Sequence, residues 1–295
     1  MVEKIIKGIK YRLDEGTMTA EVIAKRNGYE GDIIIPKTVV SNRASYLVTS
    51  IGKNAFFDCK SLTSITLPNS IKSIGFGAFM SCESLTSITI PNSVKSIGKD
   101  AFNGCSSLTA IEVAKGNTMY DSRENCNALI HTATNTLIRG CQNTTIPNSV
   151  TTIGKKAFHD CHSLKSIIIP KSVTTIEENA FCNCFLLKYI AFTDSIKTIS
   201  WGAFDQCKSL KAIVIPDSVT NIEDYAFCRC ESLEYVLIPD SVVNIGYHAF
   251  DECKSLYEIH YDGTKAQWIK IIEDEIFCAW SHPYFVHCTD GHIEI

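Results

Sequence analysis

The sequence predicts a repeat solenoid: short coils, mainly β with short helical turns, stacked into an elongated domain and closed by hairpins at both ends. Three observations carry this. The pattern Ala-Phe-x-x-Cys-x-x-Leu begins at Ala55, Ala78, Ala101, Ala157, Ala180, Ala203, Ala226 and Ala249, at intervals of 23, 23, 56, 23, 23, 23 and 23 residues. Each unit carries an alternating aliphatic run that ends in a turn, as in CESLTSITIPNSVKSIGKDAF from Cys82 to Phe102. Finally, 45% hydrophobic and 20% charged residues are enough apolar side chains for a core. One unit cannot bury its own apolar side, but coils stacked about 4.8 Å apart turn each repeat position into a continuous buried column.

The elements follow in order. Residues 9–24 alternate on both sides of Asp14-Glu15-Gly16, which predicts a hairpin within an N-terminal cap over 1–31, covering the open edge of the first coil. Residues 32–51 form a degenerate first coil, with Ile33–Ile35 before Pro36, the insert NRASYL, and Val48 and Ile51 in the second-strand slots. In a regular coil Leu85, Ile88 and Ile90 point inward, Ser87 and Thr89 outward, and Pro91 stops the strand. Val94 and Ile97 make a second short pair before Gly98 and the Ala101-Phe102 corner. The solenoid spans 32–261. Within it an insertion at about 114–145 predicts a hairpin projecting from the stack, ALIHT and TLIRG flanking Ala133-Thr134-Asn135. Over 262–295, a C-terminal cap starts with Thr264-Lys265-Ala266-Gln267. This capping box predicts a short helix carrying Trp268, Ile271 and Ile272, followed by a hairpin around Asp290-Gly291.

The unit IPxSVxxIGxxAFxxCxxLxxI resembles the BspA-type leucine-rich repeat, as do Gly116–Cys141, GTKAQWIKI and the terminal HCTDGHIEI. The resemblance implies an arc with a parallel sheet on its concave face. It also implies a surface antigen or adhesin that attaches to host matrix glycoproteins or to other cells, and so a cell-surface or secreted location. The opening MVEKIIKGIKYRLDEG lacks a secretory signal, so location stays open.

Charge and chemistry narrow the function. With 28 Lys and Arg against 32 Asp and Glu, a net charge of −4 disfavours nucleic acid, and no apolar run approaches the roughly 18 residues of a membrane span. The column Cys59, Cys82, Cys105, Cys161, Cys184, Cys207, Cys230 and Cys253 is expected to hold reduced structural thiols, because stacked equivalents have parallel Cβ vectors that a disulfide dihedral does not accommodate. Cys182 and Cys228 are expected to face outward, without a second pair for zinc. Cys278, His282, His287, Cys288, Asp290 and His292 hold metal-compatible atoms, but strand alternation separates His287 from Cys288. Cys161 has His159 and His162 beside it, in solvent-facing positions. No catalytic residue, cofactor or metal is expected, and GxSxG, GxGxxG and HExxH are absent.

Function must then reside in positions that vary between coils. On the outward face of the main strand, the early coils carry Thr63, Thr86, Thr109, Ser64 and Ser87. The later coils carry an apolar stripe of Ile168, Ala191, Val214 and Leu237 beside Lys165, Lys188, Lys211, Tyr189, Tyr235 and Tyr257. That composition suits a surface that binds a protein or glycoprotein. An intracellular scaffold, or a glycan-binding module stacking sugars on the three tyrosines, remain alternatives, as does a stripe simply covered by another segment.

Overall fold

The computed structural model describes residues 1–273 and 284–294 as two compact units, Met1–Ala133 and Thr134–Ile295. No linker or composition shift marks this division in the sequence; it falls inside the 56-residue interval.

The first unit opens with an antiparallel meander of β1 (Val2–Ile6), β2 (Ile9–Asp14) and β3 (Thr19–Val22). β4 (Gly31–Ile34) follows, then β5 (Thr38–Ser41) and β6 (Ala44–Ile51). β5 and β6 form a hairpin that the insert did not signal, turning through Asn42 and Arg43 at φ 51° and 66°. The regular coils then supply long strands β7 (Leu62–Thr66), β9 (Ser87–Ile90) and β11 (Ala110–Val113), and two-residue strands β8 (Ser73–Ile74) and β10 (Ser96–Ile97). Parallel pairing joins β4 to β7, β9 to β11, and β6 to β8 to β10. The N-terminal meander joins this stack through β3, which pairs with β6. It therefore covers the first coil on its short-strand side, through β6, while among the described residues no strand pairs with the outer edge of β4.

β12 (Tyr120–Asp121) and β13 (Leu129–His131) pair antiparallel and end this unit. Around them the insertion satisfies the last coils: Ile97 donates to Tyr120 Oη at 3.0 Å, Val113 to Ser122 Oγ at 2.9 Å, and Asn117 Nδ2 to the carbonyls of Pro91 and Val94.

In the second unit β14 (Thr136–Arg139) starts the short ladder, paired in parallel with β15 (Thr152–Ile153), which pairs with β17 (Thr175–Ile176). This strand does not project from the stack as expected, because Leu137 is fully buried and takes the place of a regular coil's isoleucine. Long strands β16 (Ser166–Ile168) and β18 (Tyr189–Ala191) pair with each other. β19 (Thr198–Ile199), β21 (Asn221–Ile222) and β23 (Asn244–Ile245) continue the short ladder, and β20 (Ala212–Val214), β22 (Tyr235–Ile238) and β24 (Glu258–Tyr261) the long one. The helix α1 (Lys265–Glu273) starts at the predicted capping box, with Thr264 N–H donating to Gln267 Oε1 at 2.8 Å and Gln267 N–H to Thr264 Oγ1 at 3.3 Å. It buries Trp268 and Ile271 while Ile272 is half-exposed. The predicted hairpin of β25 (Phe285–Cys288) and β26 (Gly291–Glu294) extends the long ladder from β24.

A third ladder runs through the Ala-Phe corners. Alternate N–H groups reach the next coil, as Asn54 to Phe76 O, Phe56 to Ala78 O and Asp58 to Met80 O, while those between them close three-residue turns. This requires two left-handed residues per coil, at the positions before Ala and before Cys: Asn54 and Asp58, Asn179 and Asn183. Asn and Asp tolerate that region best after glycine, which explains their recurrence there. Gly98 answers a different need, since a Cβ there would lie 2.4 Å from the backbone nitrogen of Phe76.

Candidate interaction surface

The repeat positions build two buried columns before they build a surface. Phenylalanine rings stack at 4.8–5.4 Å between centroids and within 3–10° of parallel, from Phe56 through Phe102 and from Phe158 through Phe250. Alongside them the eight column cysteines are buried and form no disulfide with one another. The structure adds why cysteine is used. Cys82, Cys184, Cys207 and Cys230 each aim Sγ at the phenylalanine carbonyl of the preceding coil, at 3.1–3.3 Å. That carbonyl already accepts the N–H of its own coil's cysteine, so the thiol fills its second lone pair. A second unforeseen donor is the serine after Pro-x or Thr-x: Ser93, Ser195, Ser218 and Ser241 donate to the preceding coil's Ile or Val carbonyl at 2.6–2.7 Å.

Chemistry at these thiols is closed off by burial, which pushes Cys184, Cys207 and Cys230 far above the ordinary thiol range. Cys182 and Cys228 do not face outward as expected. The corner ladder turns both inward, leaving them 5% and 1% exposed, and burial pushes each thiol up to about 12. Cys161 Sγ points at Gly140 O at 3.7 Å, whereas its neighbours His159 and His162 lie 2.8 and 3.7 Å from Asp160. No group of three metal-ligating side chains exists among the described residues, and Cys278 and His282 lie outside them.

The residues read as a partner surface all lie on or beside the long strands of the second unit. Ile168, Val214, Tyr189 and Tyr257 are 68%, 55%, 59% and 58% exposed, Tyr235 is exposed and Leu237 half-exposed. Register aligns Ile168 with Ala191, and Val214 with Leu237 and His260, which places the stripe on one side of the sheet. Lys165, Lys188 and Lys211 are exposed where these strands begin; Lys211 Nζ lies 3.4 Å from Glu234. The stripe is interrupted: β18 and β20 belong to different sheets, in the coil where Phe192 replaces the usual aliphatic and Thr193 the usual proline. Phe192 instead packs edge-on against Phe204 at 5.7 Å.

The surface also continues further than the sequence indicated. β25 adds Phe285 opposite Glu258 and His287 opposite His260, with the two imidazoles stacked at 5.0 Å and Tyr235 4.8 Å from His260. The signal was the alternation of Phe285 and His287, visible only once β25 is known to pair with β24. In the first unit hydroxyls on this face are tied to the fold: Thr109 Oγ1 donates to Thr86 O at 3.1 Å, and Thr63 and Ser64 both donate to the Asp32 carboxylate.

Coils of one long and one short strand, with aliphatic, phenylalanine and cysteine columns, define a leucine-rich repeat solenoid. A sequence profile of the BspA type leucine rich repeat region matches residues 37–137 and 138–257 in six copies, and the chain belongs to that family. It is similar to a leucine rich cell surface protein of Faecalibacterium prausnitzii, with 26% identity, 92% of this chain and 97% of that one covered, and a TM-score of 0.62. A leucine-rich repeat protein of Bacteroides ovatus shares 27% identity over 88% of this chain and 70% of its own, at a TM-score of 0.52. The pneumococcal vaccine antigen PcpA, at 18% identity and a TM-score of 0.59 over 90% and 89% of the two chains, shares the fold. No curated protein matches the chain significantly. No helix among the described residues is long and apolar enough to cross a membrane.

Proposed function

We propose that the chain is a non-enzymatic adhesion module that recognises a protein or glycoprotein, a host matrix component or a cell-surface protein, through the outward face of the long strands in its second unit. The observation that supports this most is the exposed row of Ile168, Tyr189, Val214, Tyr235 and Tyr257 with Lys165 and Lys188 beside it. Exposed aliphatics next to tyrosine and lysine gain from burial against a partner, and the aromatic rings lose little conformational freedom in doing so. The similarity to a leucine rich cell surface protein supports the same reading. It is tested by binding the purified chain to immobilised matrix glycoproteins and mucins, with a Tyr189→Ala/Tyr235→Ala variant alongside. Saturable binding that drops at least tenfold in a variant of unchanged thermal stability is the expected result; binding unaffected by the variant would remove this face from the proposal.

A further inference from the structure

The first unit leaves one sheet edge bare beside an apolar groove. β4 pairs only with β7, and on that side Gly31 N–H donates to Ser61 O and Ile35 N–H to Thr66 O. Alternation along a strand therefore turns the N–H and C=O groups of Asp32 and Ile34 to the other edge, where no strand lies among the described residues. At the end of that edge a groove of about 430 Å³ is walled by Ile6, Ile9 and Tyr11 of the N-terminal meander and by Ile34, Pro36 and Val40. Ile34 is 72% and Val40 62% exposed.

We propose that this edge is a second binding site, which takes an extended peptide segment of a partner as an added strand beside β4. A row of free donors and acceptors at strand spacing is complemented by polypeptide backbone, and the groove receives aliphatic side chains from alternate positions. Charge sets the sequence further. The hydroxyls of Ser64 and Thr63 on β7 hold the exposed Asp32 carboxyl ionised below its usual range on the outward face of β4, within cross-strand reach of a strand added at the free edge. An incoming strand therefore carries a lysine or arginine opposite it. A second copy of this chain, pairing β4 against β4, would bring two Asp32 carboxylates to the same small junction, which disfavours that occupant.

The test is fluorescence polarisation with a labelled, end-capped hexapeptide, threonine-valine-lysine-valine-threonine-valine. Saturable binding to the full chain is expected, weakened about tenfold when the four central peptide nitrogens are methylated, as two lost backbone hydrogen bonds require. Ile34→Pro removes the outward N–H without touching the bond to β7 and is expected to weaken binding similarly; Val40→Asp tests the groove if the proline variant misfolds. Equal binding of the methylated peptide, equal binding with glutamate in place of lysine, or no binding at millimolar peptide would each overturn the proposal. A dimer of the chain alone that Ile34→Pro dissociates would assign the edge to a second copy and overturn it as well.

Discussion

The phenylalanine column allows one test of how the repeats hold each other. Phe204 is fully buried and meets three rings, Phe181 at 5.2 Å, Phe227 at 5.3 Å and Phe192 at 5.7 Å, whereas Phe102, equally buried, meets Phe79 alone at 5.4 Å. Leucine at either position keeps most of the apolar burial and removes the ring geometry. With each aromatic pair worth about 0.5–1.5 kcal/mol beyond its area, Phe204→Leu should cost about 1–3 kcal/mol more than Phe102→Leu. Guanidinium unfolding measures both. Trp201 and Trp268 belong to the second unit and residues 1–133 contain no tryptophan, so fluorescence does not report on the first unit while far-UV circular dichroism follows both. Equal costs at the two sites, within about 0.5 kcal/mol at unchanged denaturant slopes, would refute the idea that stacking adds to burial in this column.

Other outcomes follow from single sites. Asp160 is partly buried, which alone would raise its carboxyl, but His159, His162 and Asn183 outweigh burial and hold it well below the carboxylate range. Its stabilisation is therefore complete above pH about 4 and lost as pH falls below that, so urea unfolding between pH 5 and 2.5 should show a shallower acid loss in Asp160→Asn than in the wild type. Peptide-level alkylation of the native chain should label half-exposed Cys288 before Cys184, Cys207 or Cys230, which should react only as fast as the chain opens. Thr264→Ala should cost about 1 kcal/mol through loss of the capping box, with Thr264→Ser close to neutral, as read by hydrogen exchange over α1. Gly98→Ala forces a Cβ against the Phe76 backbone and should destabilise the first unit by about 3 kcal/mol, measured by circular dichroism on denaturation.

Much of this was legible because a 23-residue period assigns each residue type to one environment. The aliphatic, phenylalanine and cysteine columns, the capping box at Thr264 and the hairpin at Asp290-Gly291 all rest on local patterns that the structure reproduces. What was not legible depends on which coil a segment meets. The N-terminal hairpin announces itself through alternation, but nothing in residues 9–24 says that β3 pairs with β6 rather than β4. Cys182 and Cys228 occupy a variable position of the repeat, so the repeat pattern assigns them no environment; the corner with its left-handed residues Asn183 and Arg229 turns both inward. Likewise Phe285 and His287 join this face only because β25 pairs with β24, a non-local pairing that no local pattern in the sequence announces.

The same accounting explains why the two units differ in what they offer. In the regular coils the backbone is spent on three ladders, and in several of them the column cysteine and the turn serine complete carbonyls that remain. Outward positions of the long strand are then the side chains free of structural duty. In the first unit the hydroxyls of Thr63, Ser64 and Thr109 donate to Asp32 or to the preceding coil and so remain tied to the fold. In the second unit the slot of Thr63 and Thr109 holds Lys165, Lys188 and Lys211, that of Ser64 holds Tyr189 and Tyr235, and that of Thr66 and Thr89 holds Ile168 and Val214, which leave apolar area in water. Aliphatics there contribute nothing to core burial that Thr would forgo, while each costs hydration. Selection for stability alone would favour the threonine pattern in both units, and the departure in the second is what the proposal of a partner on that face rests on.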